Sequence, residues 1–166
     1  MKKRMISILL LTALLFTGCG TADNSEAKLS EEAAQEAAVM PDPETLYAQV
    51  SEGADLPEMI LLTPEKAEKQ YGVAAEDCLA SVIAVSADSV RSDEIWLVEA
   101  VSEEAAQRVY DCASARLQAK REETENYFPD QYDMLKKAVL LQDSIYVIFL
   151  AMPESGTAAL MIQNLL

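Results

Sequence analysis

Ile145-Tyr-Val-Ile-Phe-Leu-Ala-Met152 is apolar at odd and even positions alike, so as a strand it must keep both faces away from water, as a central strand of a covered sheet does. Immediately before it, Ala138-Val-Leu-Leu-Gln142 is another short β-forming run. Asp143-Ser144 is a two-residue connection that makes the two a hairpin. Further upstream, Cys78-Leu-Ala-Ser-Val-Ile-Ala-Val-Ser86 and Glu94-Ile-Trp-Leu-Val-Glu-Ala-Val101 flank the polar turn material Ala87 to Asp93 and read as a second antiparallel pair.

Each pair runs into a helix. Ser102 caps a long one whose apolar face is Ala105, Ala106, Val109, Cys112, Ala113 and Leu117, whereas Gln118 to Asn126 is polar nearly all round and is expected to project from the body. After Tyr127 and Phe128, Pro129 opens a short helix with Tyr132 and Leu135 on one side. The last helix, Glu154 to Leu165, would bury Ala158, Met161, Ile162 and Leu165. Ile95-Trp-Leu-Val-Glu-Ala-Val-Ser102 also echoes Ile145 to Met152 if one residue is inserted before Pro153. Two ββα units follow from this. Their simplest union is an α+β domain with a mostly antiparallel four-stranded sheet and both helices on one face. The other face falls to N-terminal helices around Leu46 to Val50 and Leu61 to Tyr71, the second signalled by Thr63, Pro64 and Gly72.

The 166 residues leave room for one domain and a leader. Met1-Lys-Lys-Arg followed by the apolar run Met5 to Phe16 has the form of a signal peptide and is too short for a bilayer span. Phe16-Thr-Gly-Cys19 resembles the lipobox of bacterial lipoproteins, with Phe16 where Leu is usual. That resemblance implies diacylglyceryl transfer to the Cys19 sulfur and cleavage before it, an anchor of two acyl chains that holds stably where one does not. Residues 1–18 are thus expected to be the signal peptide, 19–43 a lipidated cysteine with a flexible acidic tether, and 44–166 a single globular domain. Loss of Lys2, Lys3 and Arg4 leaves ten basic residues against 28 acidic ones, so the formal net charge of −15 becomes −18. Such a surface repels phosphate backbones, which excludes nucleic acid as a partner.

Absences narrow the chemistry further. There is no histidine, which removes Ser-His and Cys-His nucleophile pairs and most zinc sites, and the five glycines form no phosphate-cradling loop. No catalytic, cofactor-binding or metal-ligating residue is therefore assigned. Asp88, Asp93 and Glu94 lack the central glycine and the spaced bidentate acid of a calcium loop. Cys78 and Cys112 read as buried thiols, and a disulfide between them is the alternative that export would permit. Trp96, among apolar neighbours, reads as core.

Tyr127-Phe-Pro-Asp-Gln-Tyr132, with Leu135, Ala138-Val139 and Tyr146-Val-Ile-Phe149, resembles an uncharacterised bacterial lipoprotein domain family, domain of unknown function 4358. Leu56-Pro-Glu-Met59 and Tyr71-Gly-Val73 extend the similarity over roughly 44 to 165, and Ser144 stands where members commonly have Gly. The resemblance implies an extracytoplasmic address and carries no activity. Tyr127, Pro129, Gln131 and Tyr132 become the candidate surface, although Pro129 starting a helix and two tyrosines pinning a turn would account for them structurally. The functional expectation is a membrane-anchored, non-catalytic module on the outer face of the cell membrane that binds a protein, peptide or cell-wall component. A small carboxylate-based envelope hydrolase, or an inhibitor of an envelope enzyme, is the alternative.

Overall fold

The computed structural model describes residues 41–165, so Cys19 and the stretches read from sequence as signal peptide and, as far as residue 40, as tether lie outside the described residues. Along the chain come α1 (Pro43–Glu52), β1 (Met59–Leu61), α2 (Pro64–Tyr71), β2 (Cys78–Ser86) and β3 (Glu94–Ala100). They are followed by α3 (Glu103–Thr124), α4 (Pro129–Lys136), β4 (Val139–Asp143), β5 (Tyr146–Ala151) and α5 (Ser155–Gln163). Side chains set the helix starts. Asp42 Oδ1 accepts from the Glu44 and Thr45 amides at 3.0 Å, Thr63 Oγ1 from Lys66 at 3.4 Å and Ser102 Oγ from Ala105 at 3.2 Å. Each cap satisfies an otherwise orphaned amide and stabilises its helix by about 1 kcal/mol. Gly72 then ends α2 at φ 77°, a conformation that costs glycine little. Asp42 and Pro43, at the end of the stretch read from the sequence as tether, are the N-cap and the first residue of α1.

All strand pairs are antiparallel, in the order β1-β2-β3-β5-β4. β3 and β5 are the central pair. Trp96 lies opposite Phe149 with the rings edge to face at 5.8 Å, and Ile95 lies opposite Leu150. Trp96, Val98, Val147, Phe149 and Ala151 point to one face, covered by α2, α3 and α4, while Ile95, Leu97, Ile148, Leu150 and Met152 point to the other, covered by α1 and α5. All ten are buried. At about 2 kcal/mol for each large side chain, these two layers are the main driving force for folding. No helix among the described residues is long and apolar enough to cross a membrane.

The architecture is α+β with an antiparallel sheet, and several details depart from the sequence reading. The sheet has five strands rather than four, because Met59–Leu61 pairs with Ala84 to Ser86 as a short edge strand. Three residues are too few for periodicity to reveal, and Leu61, by its sequence, reads as the start of the following helix. Secondly, the helices of the two ββα units lie on opposite faces, and α2, expected on the face away from them with α1, packs on the α3 side instead. Met152, the residue that breaks the internal echo, adds one alternation after Ala151, so the chain leaves β5 toward the face opposite the one it takes from β3. Thirdly, the polar end of α3 does not project. Lys120 and Thr124 are buried, and Arg121 Nη2 donates to the Leu135 carbonyl of α4 at 2.9 Å.

The hairpin turn is Ser144-Ile145, one residue later than the sequence reading, and Ser144 has φ 49°. A β-carbon is disfavoured there by about 1 kcal/mol. Ser144→Gly is expected to raise unfolding stability by up to about 1 kcal/mol, read as a higher urea midpoint with an unchanged slope.

Candidate functional site

The first residue of β3 begins with an electrostatic liability. Glu94 is fully buried, and a lone carboxylate there would be prohibitive. Two cations one turn apart on α3 answer it: Arg116 Nε lies 3.2 Å and Lys120 Nζ 3.0 Å from Glu94 Oε2. The Trp96 indole N–H donates to Glu94 Oε1 at 2.8 Å. Arg116 also lies over the Tyr71 ring at 4.8 Å, and Tyr71 in turn stacks on Trp96 at 5.4 Å. Burial, and then the charge of Glu94, pushes the Tyr71 phenol above its ordinary pKa.

From this cluster the β2–β3 loop is tied down residue by residue. Lys120 Nζ donates to the Ser92 carbonyl at 3.2 Å, and the Ser92 amide donates to Gln131 Oε1 at 2.7 Å. Asp93, also fully buried, receives a two-pronged grip from Arg91 at 2.8 and 3.0 Å. Asp88 accepts from the Val90 amide. The three acids that faintly suggested a calcium loop thus diverge, and among the described residues no group of three or more metal-binding side chains converges.

Arg91 sits where three cavities meet. The largest, about 710 Å³, lies between α4 and the start of α5 and includes Gln131, Lys137, Glu154 and Thr157. A second, about 440 Å³, is walled by Val90, Tyr127, Phe128 and Pro129. The third, about 260 Å³, lies under the loop against α3 and includes Tyr71, Asp88, Arg116, Lys120, Glu123 and Phe128. Beside them an apolar ridge stands in solvent, with Tyr127 79%, Val90 54% and Phe128 42% exposed.

The four candidate residues are therefore divided. Tyr127, Pro129 and Gln131 gather near Arg91, with Pro129 at the first turn of α4 and Gln131 spent on holding the loop. Tyr132 faces α3 instead, its hydroxyl 3.5 Å from Glu125 and its ring under Lys136 at 5.1 Å. Tyr127 does not pin the turn. Sequence reasoning missed Glu94, Arg116 and Lys120. A usable signal was there, because Leu117 and Thr124 continue the buried side of α3 and Lys120 lies on it too.

Cys78 and Cys112 are free, half-buried thiols beside the Ala74 and Gly72 carbonyls. Burial pushes Cys78 up to about 11, helped by the charge of Asp77, and raises Cys112 as well. Neither is an activated thiolate at neutral pH. Asp77 is itself gripped by both prongs of Arg108, which hold its carboxyl below the usual range.

A family model described as "Domain of unknown function (DUF4358)" matches residues 52–152. The chain belongs to this family. Comparison with curated proteins and with solved structures returns no match. The DUF4358 stretch, narrower than the 44 to 165 read from sequence, runs from the last residue of α1 to just past β5. The whole sheet, the buried ion cluster and the loop it secures fall inside it, while α5 lies beyond.

Two stability changes test this account. Lys120→Met leaves Glu94 with one cation fewer in a dry site and is expected to cost about 3–5 kcal/mol in urea unfolding. Asp77, with its folded pKa depressed, stabilises above its unfolded value near 3.8 and loses that contribution as pH falls through the folded pKa. Asp77→Asn should accordingly flatten the acid limb of the stability–pH curve below about pH 4, measured by thermal melts across that window.

Proposed function

We propose that the protein is an envelope lipoprotein, anchored through lipid on Cys19 to the outer face of the bacterial cell membrane, whose domain is a non-catalytic binding module. The tether of acidic and small residues lets that domain reach on the order of 30 Å from the surface. The observation that carries the binding reading is the ridge of Val90, Tyr127 and Phe128, a contiguous run of exposed apolar and aromatic side chains. Val90 stands on the β2–β3 loop that Lys120 and Gln131 fasten, and Tyr127 and Phe128 on the α3–α4 connection beside it, their amides bonded to the Thr124 carbonyl. Rigid aromatic anchors on a fixed base lose little entropy on association, so such a ridge suits a protein, peptide or wall partner.

One observation favours the alternative of a carboxylate hydrolase: Asp130, Asp133 and Glu154 all line the largest cavity. Yet Lys136 holds the Asp133 carboxyl below its ordinary range, which keeps it ionised and unfit as a general acid. The other carboxyls with displaced values, Asp42, Glu65, Asp77 and Glu104, are lowered too. A general acid of this type works with a raised pKa, and none of these five has one.

Mass spectrometry of the mature N-terminus should find a diacylglyceryl group on Cys19, and Cys19→Ser should release the protein from membranes. Pull-downs from intact envelopes should recover a reproducible partner that Tyr127→Ser with Phe128→Ser loses while the circular dichroism spectrum is retained. An unmodified sulfur would overturn the anchor, and indifference to the double substitution would overturn the ridge.

A further inference from the structure

The smallest of the three cavities around Arg91 carries charge that the fold does not use. Three cations line it: Arg91 is paired with buried Asp93, whereas Arg116 and Lys120 share one buried carboxylate, Glu94. Lys120 is occupied by Glu94 and the Ser92 carbonyl. Arg116 is less so: only its Nε contacts Glu94, and apart from an interaction with the Tyr71 hydroxyl its two outer nitrogens make no hydrogen bond among the described residues. A guanidinium placed over the Tyr71 ring, with its outer edge not committed to any carboxylate, is prepared for one, which it can grip with two parallel bonds.

The lining carries the opposite sign. Asp88 and Glu123 are exposed, line the same cavity and form no ion pair among the described residues. A polyanion would meet them unfavourably, whereas a ligand with its own positive charge would not. Tyr71 and Phe128 add apolar walls. At about 260 Å³ the space falls below the ~300–1,000 Å³ common for larger ligands, so it takes a small group.

We infer that this pocket binds a small zwitterion of amino-acid or dipeptide type, its carboxylate on the outer edge of Arg116 and its ammonium group toward Asp88 and Glu123. The inference deepens the binding-module reading and rests on it, by naming the chemistry that the module would recognise.

The chain's single tryptophan supplies the reporter. The Trp96 indole N–H donates to Glu94, which Arg116 also touches, so its NMR resonance senses the pocket. The full chain is titrated with alanyl-alanine, its C-terminal amide, its N-acetyl form and inorganic phosphate. Alanyl-alanine should move the resonance saturably. The amide should bind at least tenfold more weakly and the N-acetyl form severalfold more weakly, while phosphate leaves the resonance in place. Arg116→Lys keeps a charge beside Glu94 but lacks the fork, and should weaken alanyl-alanine at least tenfold. Should that variant fail to fold, exposed Glu123→Gln decides, being expected to weaken alanyl-alanine and leave the N-acetyl form unchanged. No saturable movement, equal binding of the amide, a response to phosphate as large as that to the dipeptide, or indifference to these substitutions overturns the inference. A silent titration beside a pull-down that still depends on Tyr127 and Phe128 sinks the pocket and spares the module; silence in both sinks the module.

Discussion

The central constraint on this fold is that the β3–β5 pair has no face fit for water. Trp96 against Phe149 on one side and Ile95 against Leu150 on the other require a layer of helices above and below. Everything else is arranged to meet that demand. α3 supplies the longest cover for one layer with help from α2 and α4, and α1 and α5 close the other. The outer strands can be short and partly exposed because the energy of assembly comes from the two middle ones.

Glu94 sits at the entrance to this apolar pair and turns a packing arrangement into an electrostatic one. Its carboxylate, fully buried, needs Arg116 and Lys120, and through them the end of α3 is drawn down onto the β2–β3 loop. A hydrophobic substitute of similar volume could stabilise as well as such a cluster does. What the ion pairs supply is a defined position for the loop, with Gln131 and Arg91 as further fastenings. Val90 of the apolar ridge and Asp88 of the small charged pocket stand on that fastened loop, so both features depend in part on the costliest polar group in the domain.

Membership in the DUF4358 family agrees with this division of labour, since the matched residues 52–152 hold the sheet and the ion cluster and omit α5. The family's description names no activity, so the functional reading rests on the chemistry of the site. Raised thiol pKa values at Cys78 and Cys112 argue against a nucleophile there. The carboxyls that are displaced favour their charged forms, as anions that hold structure rather than acids that donate protons.

Much of the fold could be read from local pattern. The strands Cys78–Ser86 and Tyr146–Ala151, the caps Thr63 and Ser102 and the stop at Gly72 depend on neighbours within a few residues, and such signals survive in one dimension. Of the candidate site, Tyr127, Pro129 and Gln131 were visible as a motif, but their roles were not. Which face α5 covers turned on Met152, a single alternation whose effect exists only once strands lie side by side. The meeting of Glu94 with Arg116 and Lys120, 22 and 26 positions away, was likewise out of reach. Charge on a helix reads as solvent-facing until a buried partner is placed against it, and sequence spacing says nothing about which carboxylate that will be.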